Sequence, residues 1–379
     1  MKEPEFHLFC IWNKGLPYAE SILNEIKKRF IILDVADVSW QGQGKAGSLF
    51  RFYVNPKWII FWKYLRCGGD PVRMIVVRDD HPEYQERHTN SGVQKVNVGL
   101  FDMKIRLRAM LKNGHLIHAT NSPFEFAFNY AMLTGKPANI DTIRQMPEWD
   151  EQITARHIDL PGKKPWKDLR SLFDIISPMG NFLVLRNYEG LPESCRFGPH
   201  SDIDILTSAP GEMIRLLNLK KASLLPTRAV WRAAVADSWV NIDIRTPHDG
   251  YYPEKMVKLM LENAVLHNNI PVPAPEHYFY SLVYHAAIHK YKMSDEYVQR
   301  LLAMAEKNGK VLPAGENPRQ FLTGLLCSWM EQHGFEFTEP TDLTVNFNAF
   351  YYKGTPRVSW LRKVKNALFH LLGKKIHCE

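Results

Sequence analysis

Residues 181–208 of this 379-residue chain run from an apolar strand (Phe182–Leu185) through a loop into Ser201-Asp202-Ile203-Asp204-Ile205-Leu206. Side-chain direction in a strand repeats every two residues, so Asp202 and Asp204 share one side while Ile203 and Ile205 face a core on the other. That pattern demands a sheet with one apolar layer and one acidic strip. Two carboxylates side by side repel each other and invite a divalent cation, Mg²⁺ or Mn²⁺, because hard cations prefer oxygen ligands. Such a pair suits phosphoryl or nucleotidyl transfer. A second apolar strand, WVNIDIRTP, brings a third acid, Asp243, with Arg245 two residues on and on the same side.

The length suits two or three domains with ample core. The formal charge is +8, but from Tyr351 onward seven basic residues stand against Glu379 alone, which leaves only +2 for the rest. Without a basic body the footprint of a nucleic-acid channel is missing, so nucleic acid is not the expected partner. Five cysteines are scattered singly, at 10, 67, 195, 327 and 378, with no metal-like spacing. Free thiols and a cytoplasmic location are the expectation. Neither a signal peptide nor an apolar run of about 20 residues, the length that spans a bilayer, is visible.

Along the chain, residues 1–140 read as an α/β domain, with strands at His7–Trp12, Ile31–Val38, Val72–Val77 and His115–Ala119. Its expected helices are Ala19–Phe30, Asp102–Leu111 and Pro123–Leu133, with a Gly-rich loop at Gln41–Gly47 and an aromatic segment around Trp58–Tyr64. Residues 141–168, with the cluster Pro161-Gly162-Lys163-Lys164-Pro165, read as a linker. A mixed-sheet domain follows over 169–265, then a helical domain over 266–345 and a basic tail over 346–379. In Glu276–Lys292, His285 and His289 are four apart on one helical face, either turned into the core or forming with Lys290 a cationic wall over a substrate phosphate. The tail repeats Val358, Leu361, Val364, Leu368, Leu371 and Leu372 at helical spacing with Arg362, Lys363 and Lys365 among them. Such a helix either attaches to an anionic membrane surface or packs its stripe on the protein body.

The strand, short polar turn, loop, acid-apolar-acid strand and later third acid of residues 169–300 resemble the nucleotidyltransferase fold of the polymerase-beta-like superfamily. The resemblance implies a metal-binding and catalytic set of Asp202, Asp204 and Asp243. The turn is Arg186-Asn187-Tyr188 here, where that superfamily usually has Gly-Ser or Gly-Gly. Arg186, Asn187, Ser201, Arg245 and Lys290 are then candidates for binding substrate phosphate, guanidinium forks being matched to phosphate geometry.

Residues 5–135 more weakly resemble nucleoside diphosphate kinase, a ferredoxin-like fold, in ILNEIKKRFIILDVADVSW, GGDPVRMIVV and KIRLRAMLKNGHLIHATNSPFEFAFNYAML. The resemblance makes His118 the position that carries phosphate, with Arg106 contacting it and Thr120 and Ser122 beside it. The chain differs at Trp12, His115 and Asn121, where the family has lysine, asparagine and aspartate.

The expectation is an α/β (α+β) chain of three parts: a ferredoxin-like domain, a nucleotidyltransferase-like domain and a helical region. Its activity would be Mg-dependent transfer of a nucleotidyl or phospho-alcohol group from a nucleotide-linked donor to a small or glycan acceptor, as in surface polysaccharide biosynthesis. The tail would hold the enzyme peripherally at the inner membrane face. The alternatives are a phosphotransferase working through His118 and a non-catalytic nucleotide-binding regulator.

Overall fold

The computed structural model describes residues 3–42, 47–54, 57–89, 92–193, 202–222 and 230–348. Ser201, Cys195, Cys378 and the tail helix lie outside the described residues. The chain is a mixed α/β protein in two compact units. The first comprises Met1–Gly180, Gly211–Lys220 and Ala233–Trp239; the second comprises Asn181–Pro210, Lys221–Arg232 and the chain from Val240 onward.

The first unit is built on strands β1 (Glu5–Ile11), β2 (Ile31–Trp40), β3 (Val72–Asp79), β6 (Ile117–Ala119) and β7 (Thr154–Ile158), in the order β6-β1-β3-β2-β7. The hairpin β4 (Tyr84–Thr89) and β5 (Gly92–Asn97) stands apart from that sheet. β1 is antiparallel to β3 and β6, β2 is antiparallel to β3, and β7 lies parallel to β2. Helices α1 (Ala19–Lys27), α2 (Gly47–Phe52), α3 (Lys57–Cys67), α4 (Val98–Met110), α5 (Pro123–Thr134), α6 (Ile140–Arg144) and α7 (Leu169–Ile176) complete it.

The period-two rule assigns the two faces of this sheet. Phe9 and Ile11, Ile75 and Val77, and Ile117 and Ala119 pack against Ile22 and Ile26 of α1 and Leu100, Met103 and Leu107 of α4. Between those positions Leu8, Cys10 and Trp12 face the opposite way and are also buried, so both faces of the sheet are covered. On that second side Trp12 meets Phe52 edge-on at 5.4 Å, and the Trp40 indole N–H donates to the Met132 carbonyl at 2.9 Å. α5 has clear punctuation: Ser122 caps it by accepting from the Glu125 N–H, Pro123 opens it, and Gly135 closes it at φ +69°.

The segment read as a linker carries β7. Arg156 on β7 grips Asp34 on β2 with two hydrogen bonds of 2.8 and 2.7 Å, which fixes the register of a strand too polar to be held by burial. Further along, the Arg51 guanidinium donates to the carbonyls of Pro161, Arg215 and Leu216, the last two at the end of α8 (Pro210–Leu216). A cation there satisfies carbonyls that the helix itself leaves open.

The second sheet runs β10 (Lys220–Lys221), β11 (Val230–Val235), β12 (Ser238–Arg245), β9 (Asp202–Thr207), β8 (Phe182–Val184). In the second unit Leu183, Leu185 and Leu206 share a core with α9 (Glu254–Glu262), α10 (Pro275–Tyr284), α11 (Asp295–Lys307) and α12 (Pro318–Gln332). A small hairpin, β13 (Val265–His267) and β14 (Ile270–Val272), follows α9. Among the described residues no helix is long and apolar enough to cross a membrane.

Ile75 has no solvent exposure and sits at the centre of the α1–α4 core. Ile75→Ala is expected to lower stability by about 2–5 kcal/mol, read as a fall in the urea midpoint with an unchanged slope.

Candidate functional site

β9 lies parallel to β12, with Asp202 opposite Asn241, Asp204 opposite Asp243 and Leu206 opposite Arg245. β8 runs antiparallel along the other edge of β9, pairing Leu183 with Leu206 and Val184 with Ile205. Alternation then sorts the residues. Ile203, Ile205, Ile242 and Ile244 fill the apolar side, and Asp202, Asp204, Asp243 and Arg245 share the polar side. Asp202, at the mouth of the strand, is half-buried, whereas Asp204, Asp243 and Arg245 are buried.

Buried carboxylates at one register are stable only with compensating charge. Arg186, just past β8, donates from Nη2 to Asp204 Oδ1 at 2.5 Å and from Nη1 to the Tyr251 hydroxyl oxygen at 3.2 Å. Arg245 donates to Asp243 Oδ2, and its other Nη reaches Asp342 Oδ2 at 3.4 Å. The Arg245 guanidinium also lies 4.2 Å over the Tyr251 ring. The Tyr251 hydroxyl is also hydrogen-bonded with His285 Nδ1 at 2.7 Å.

Electrostatics follow from burial and pairing. Burial raises the Asp204 carboxyl above its ordinary value; Arg186 pulls it back and neighbouring Asp243 pushes it further up. For Arg186 burial works against the charge, but Asp204 prevails and the guanidinium is held well above its usual value. Arg245 follows the same pattern, with burial outweighed chiefly by Asp243. His285 is driven well down, first by burial and then by Arg186, so its ring is neutral. The cluster of two guanidiniums against Asp204, Asp243 and Asp342 leaves one negative charge in excess, counting the carboxylates as ionised. Asp243 Oδ1 is buried and makes no hydrogen bond to a described residue.

The other expected site residues are placed as follows. Asn187 takes a left-handed conformation, φ +55°, and its side-chain oxygen accepts from Arg300 at 3.3 Å. Lys290 directly follows a π-helical turn, His285–His289, that continues α10; both histidine rings are buried and flank Tyr251. Asp342 and Tyr251 carry no motif and were missed: each comes from a loop, one of them about a hundred residues from β12. Among the described residues no group of three or more His, Cys, Asp or Glu is placed to hold a metal ion.

In the first unit His118 on β6 faces the rings of Phe52 and Tyr53 edge-on, at 5.7 and 5.8 Å. Its Nε2 is 3.1 Å from the Asn129 amide nitrogen and 3.6 Å from Glu125. Burial, then Lys63, Lys104 and Arg108, push the imidazole well below its ordinary value. Lys63 lies 3.6 Å over the Tyr53 ring, and burial brings it and Lys104 down to about 8. Thr120 and Ser122 are engaged in the fold, Thr120 with His7 and the Leu8 N–H and Ser122 as the α5 cap. Arg106 pairs with Glu25 at 2.6 Å and lines a groove of about 450 Å³ with Lys28, Arg29 and Asp102.

No family model, curated protein or solved structure matches this chain.

Two measurements test these placements. Asp204→Ala strands the Arg186 charge in the interior and is expected to cost about 3–5 kcal/mol, whereas Arg186→Met/Asp204→Leu, which removes both charges, costs markedly less. Equal losses in urea unfolding would mean that the pair is not buried. His118 is neutral when folded but takes up a proton near pH 6.5 when unfolded, so the unfolded state binds more protons below that pH and stability falls as acid is added. His118→Phe is therefore expected to lose less stability than the parent between pH 7.5 and 5.5.

Proposed function

We propose that the second unit is a nucleotidyltransferase-like transferase of a phosphorus-containing group, acting from a nucleotide or nucleotide-linked donor onto a small or glycan acceptor. The observation that carries this reading is the shared register of Asp204 and Asp243 on adjacent parallel strands, with Asp202 on the same side by alternation. The left-handed Asn187 supports it too. Asparagine is one of few non-glycine residues at ease in that conformation, so it fills the backbone role of the glycine usual in the resembled turn.

The donor set fits Mg²⁺ or Mn²⁺ in one respect that matters: Mg²⁺ is commonly held by one or two carboxylates together with substrate phosphates. Asp243 Oδ1, buried and without a hydrogen bond, is an oxygen of the required kind. Since no three carboxylates among the described residues are placed to hold an ion by themselves, Asp204 and Asp243, with Asp202 on the same side, would hold it together with substrate phosphates, and the ion when bound would neutralise charge at the transferred phosphorus. Arg186 and Arg245 are the phosphate-orienting groups, already fixed by Tyr251 and Asp342. Asp243 is also the candidate base for an acceptor hydroxyl. Ser201, outside the described residues, and Lys290, which follows the π turn, remain candidates.

A second reading rests on the first unit. The order β6-β1-β3-β2, antiparallel throughout with α1 and α4 on one face, supports a ferredoxin-like domain. A neutral His118 near Lys63, Lys104 and Arg108 is the form a phosphate-accepting imidazole needs. A nucleotide-binding regulator without catalysis is the remaining alternative, favoured by the closed arginine–carboxylate pairs.

The test is calorimetric titration of nucleoside triphosphates and CDP- or UDP-linked donors with and without Mg²⁺. At least one donor is expected to bind only with Mg²⁺ and to bind about tenfold or more weakly to Asp243→Asn. Identical binding by parent and variant overturns the proposal. An acid-labile label from γ-labelled ATP that disappears in His118→Asn would instead establish the second reading.

A further inference from the structure

α3 is apolar on both sides. Ile60 and Cys67 face inward, 1% and 0% exposed. Trp58, Phe61, Trp62 and Leu65 recur at i, i+3, i+4 and i+7, which places them on one outward side. They are 67%, 48%, 57% and 44% exposed, and Ile59 and Val54 widen the patch. A folded chain does not normally leave two tryptophans and a phenylalanine of one helix in water.

The charge around this stripe is one-sided. Residues 38–69 contain no Asp or Glu, and exposed cations flank the stripe: Arg66, and Lys14, whose Nζ donates to the Leu65 carbonyl at 2.7 Å, while Arg51 and Lys63 turn inward onto the α8 carbonyls and the Tyr53 ring. A second copy of the chain would set Lys14 and Arg66 against their own like charges, and an uncharged groove would offer them no counter-charge. Tryptophan is the side chain most suited to the boundary between lipid headgroups and acyl chains. An 11-residue helix is about 16 Å long, too short to span a bilayer but suited to lying flat in that boundary.

We infer that α3 is a membrane-docking helix, seating Trp58, Phe61, Trp62 and Leu65 in an anionic lipid surface. The site is independent of the transferase reading and lies on a different stretch of the sequence from the basic tail. It gives the first unit its own hold on the surface.

The test uses the full chain with phosphatidylcholine vesicles, with and without about a third phosphatidylglycerol. Cosedimentation with the anionic vesicles is expected, together with a shift of tryptophan emission to shorter wavelength. Trp58→Glu/Trp62→Glu is expected to weaken partitioning about tenfold or more, and Trp58→Ala/Trp62→Ala to weaken it in the same direction with an unchanged melting temperature. Both losses should persist in a chain carrying Leu361→Glu/Leu368→Glu, which removes the contribution of the tail. The inference is overturned if the parent does not bind anionic vesicles, or if the tryptophan variants bind as the parent does. It is equally overturned if their only effect is to dissociate an oligomer in sedimentation velocity.

Discussion

Two carboxylates occupy one rung of a parallel strand pair, and each is answered by its own guanidinium. Without Arg186 and Arg245 the interior would hold adjacent like charges, at a cost no packing of Leu183, Leu206 and the helices could offset. Much of the polar interior of the second unit is arranged around that constraint. Tyr251 supplies a hydroxyl to one guanidinium and a ring face to the other, His285 orients the tyrosine, and Asp342 takes the second branch of Arg245. Asp342 is itself held by the N–H and hydroxyl of Thr344.

A site of this kind is rigid but incomplete. Its charges sum to a small negative excess, and one carboxylate oxygen has no hydrogen bond to a described residue. A rigid cluster keeps its donors and acceptors aimed without further cost when a charged ligand arrives, which is the basis of electrostatic preorganisation. The same rigidity explains why a neutral histidine belongs here: a protonated His285 would add a third cation to an interior that already holds two.

The acidic rung was legible because period-two alternation is a short-range rule, and Ile203, Ile205, Ile242 and Ile244 mark the buried face plainly. Apolar runs likewise announced β1, β2 and β3, and Ser122, Pro123 and Gly135 bounded α5. What the sequence hid was set at long range. Tyr251 and Asp342 reach the cluster from loops, where no periodicity applies. β4, β5 and β7 are polar strands held by pairing or by Arg156 on Asp34, without the apolar runs that mark the others, and β7 reads as linker. The π turn adds one residue to a helical hydrogen-bond ladder, a change of register with no compositional sign. In the first unit His118 and Arg106 lie close in sequence, yet they sit on different elements, β6 and α4, and Arg106 is paired with Glu25.

The clasp of Arg51 on the end of α8 limits where this chain can be divided. Its carbonyl partners at 215 and 216 are encoded beyond residue 180, in a stretch that returns to the first unit after the chain has already begun the second. A gene fragment ending at that boundary would therefore specify an unfinished body, short of a helix and with Arg51 deprived of most of its acceptors. The two units are interleaved along the sequence, so no single cut in the chain parts them.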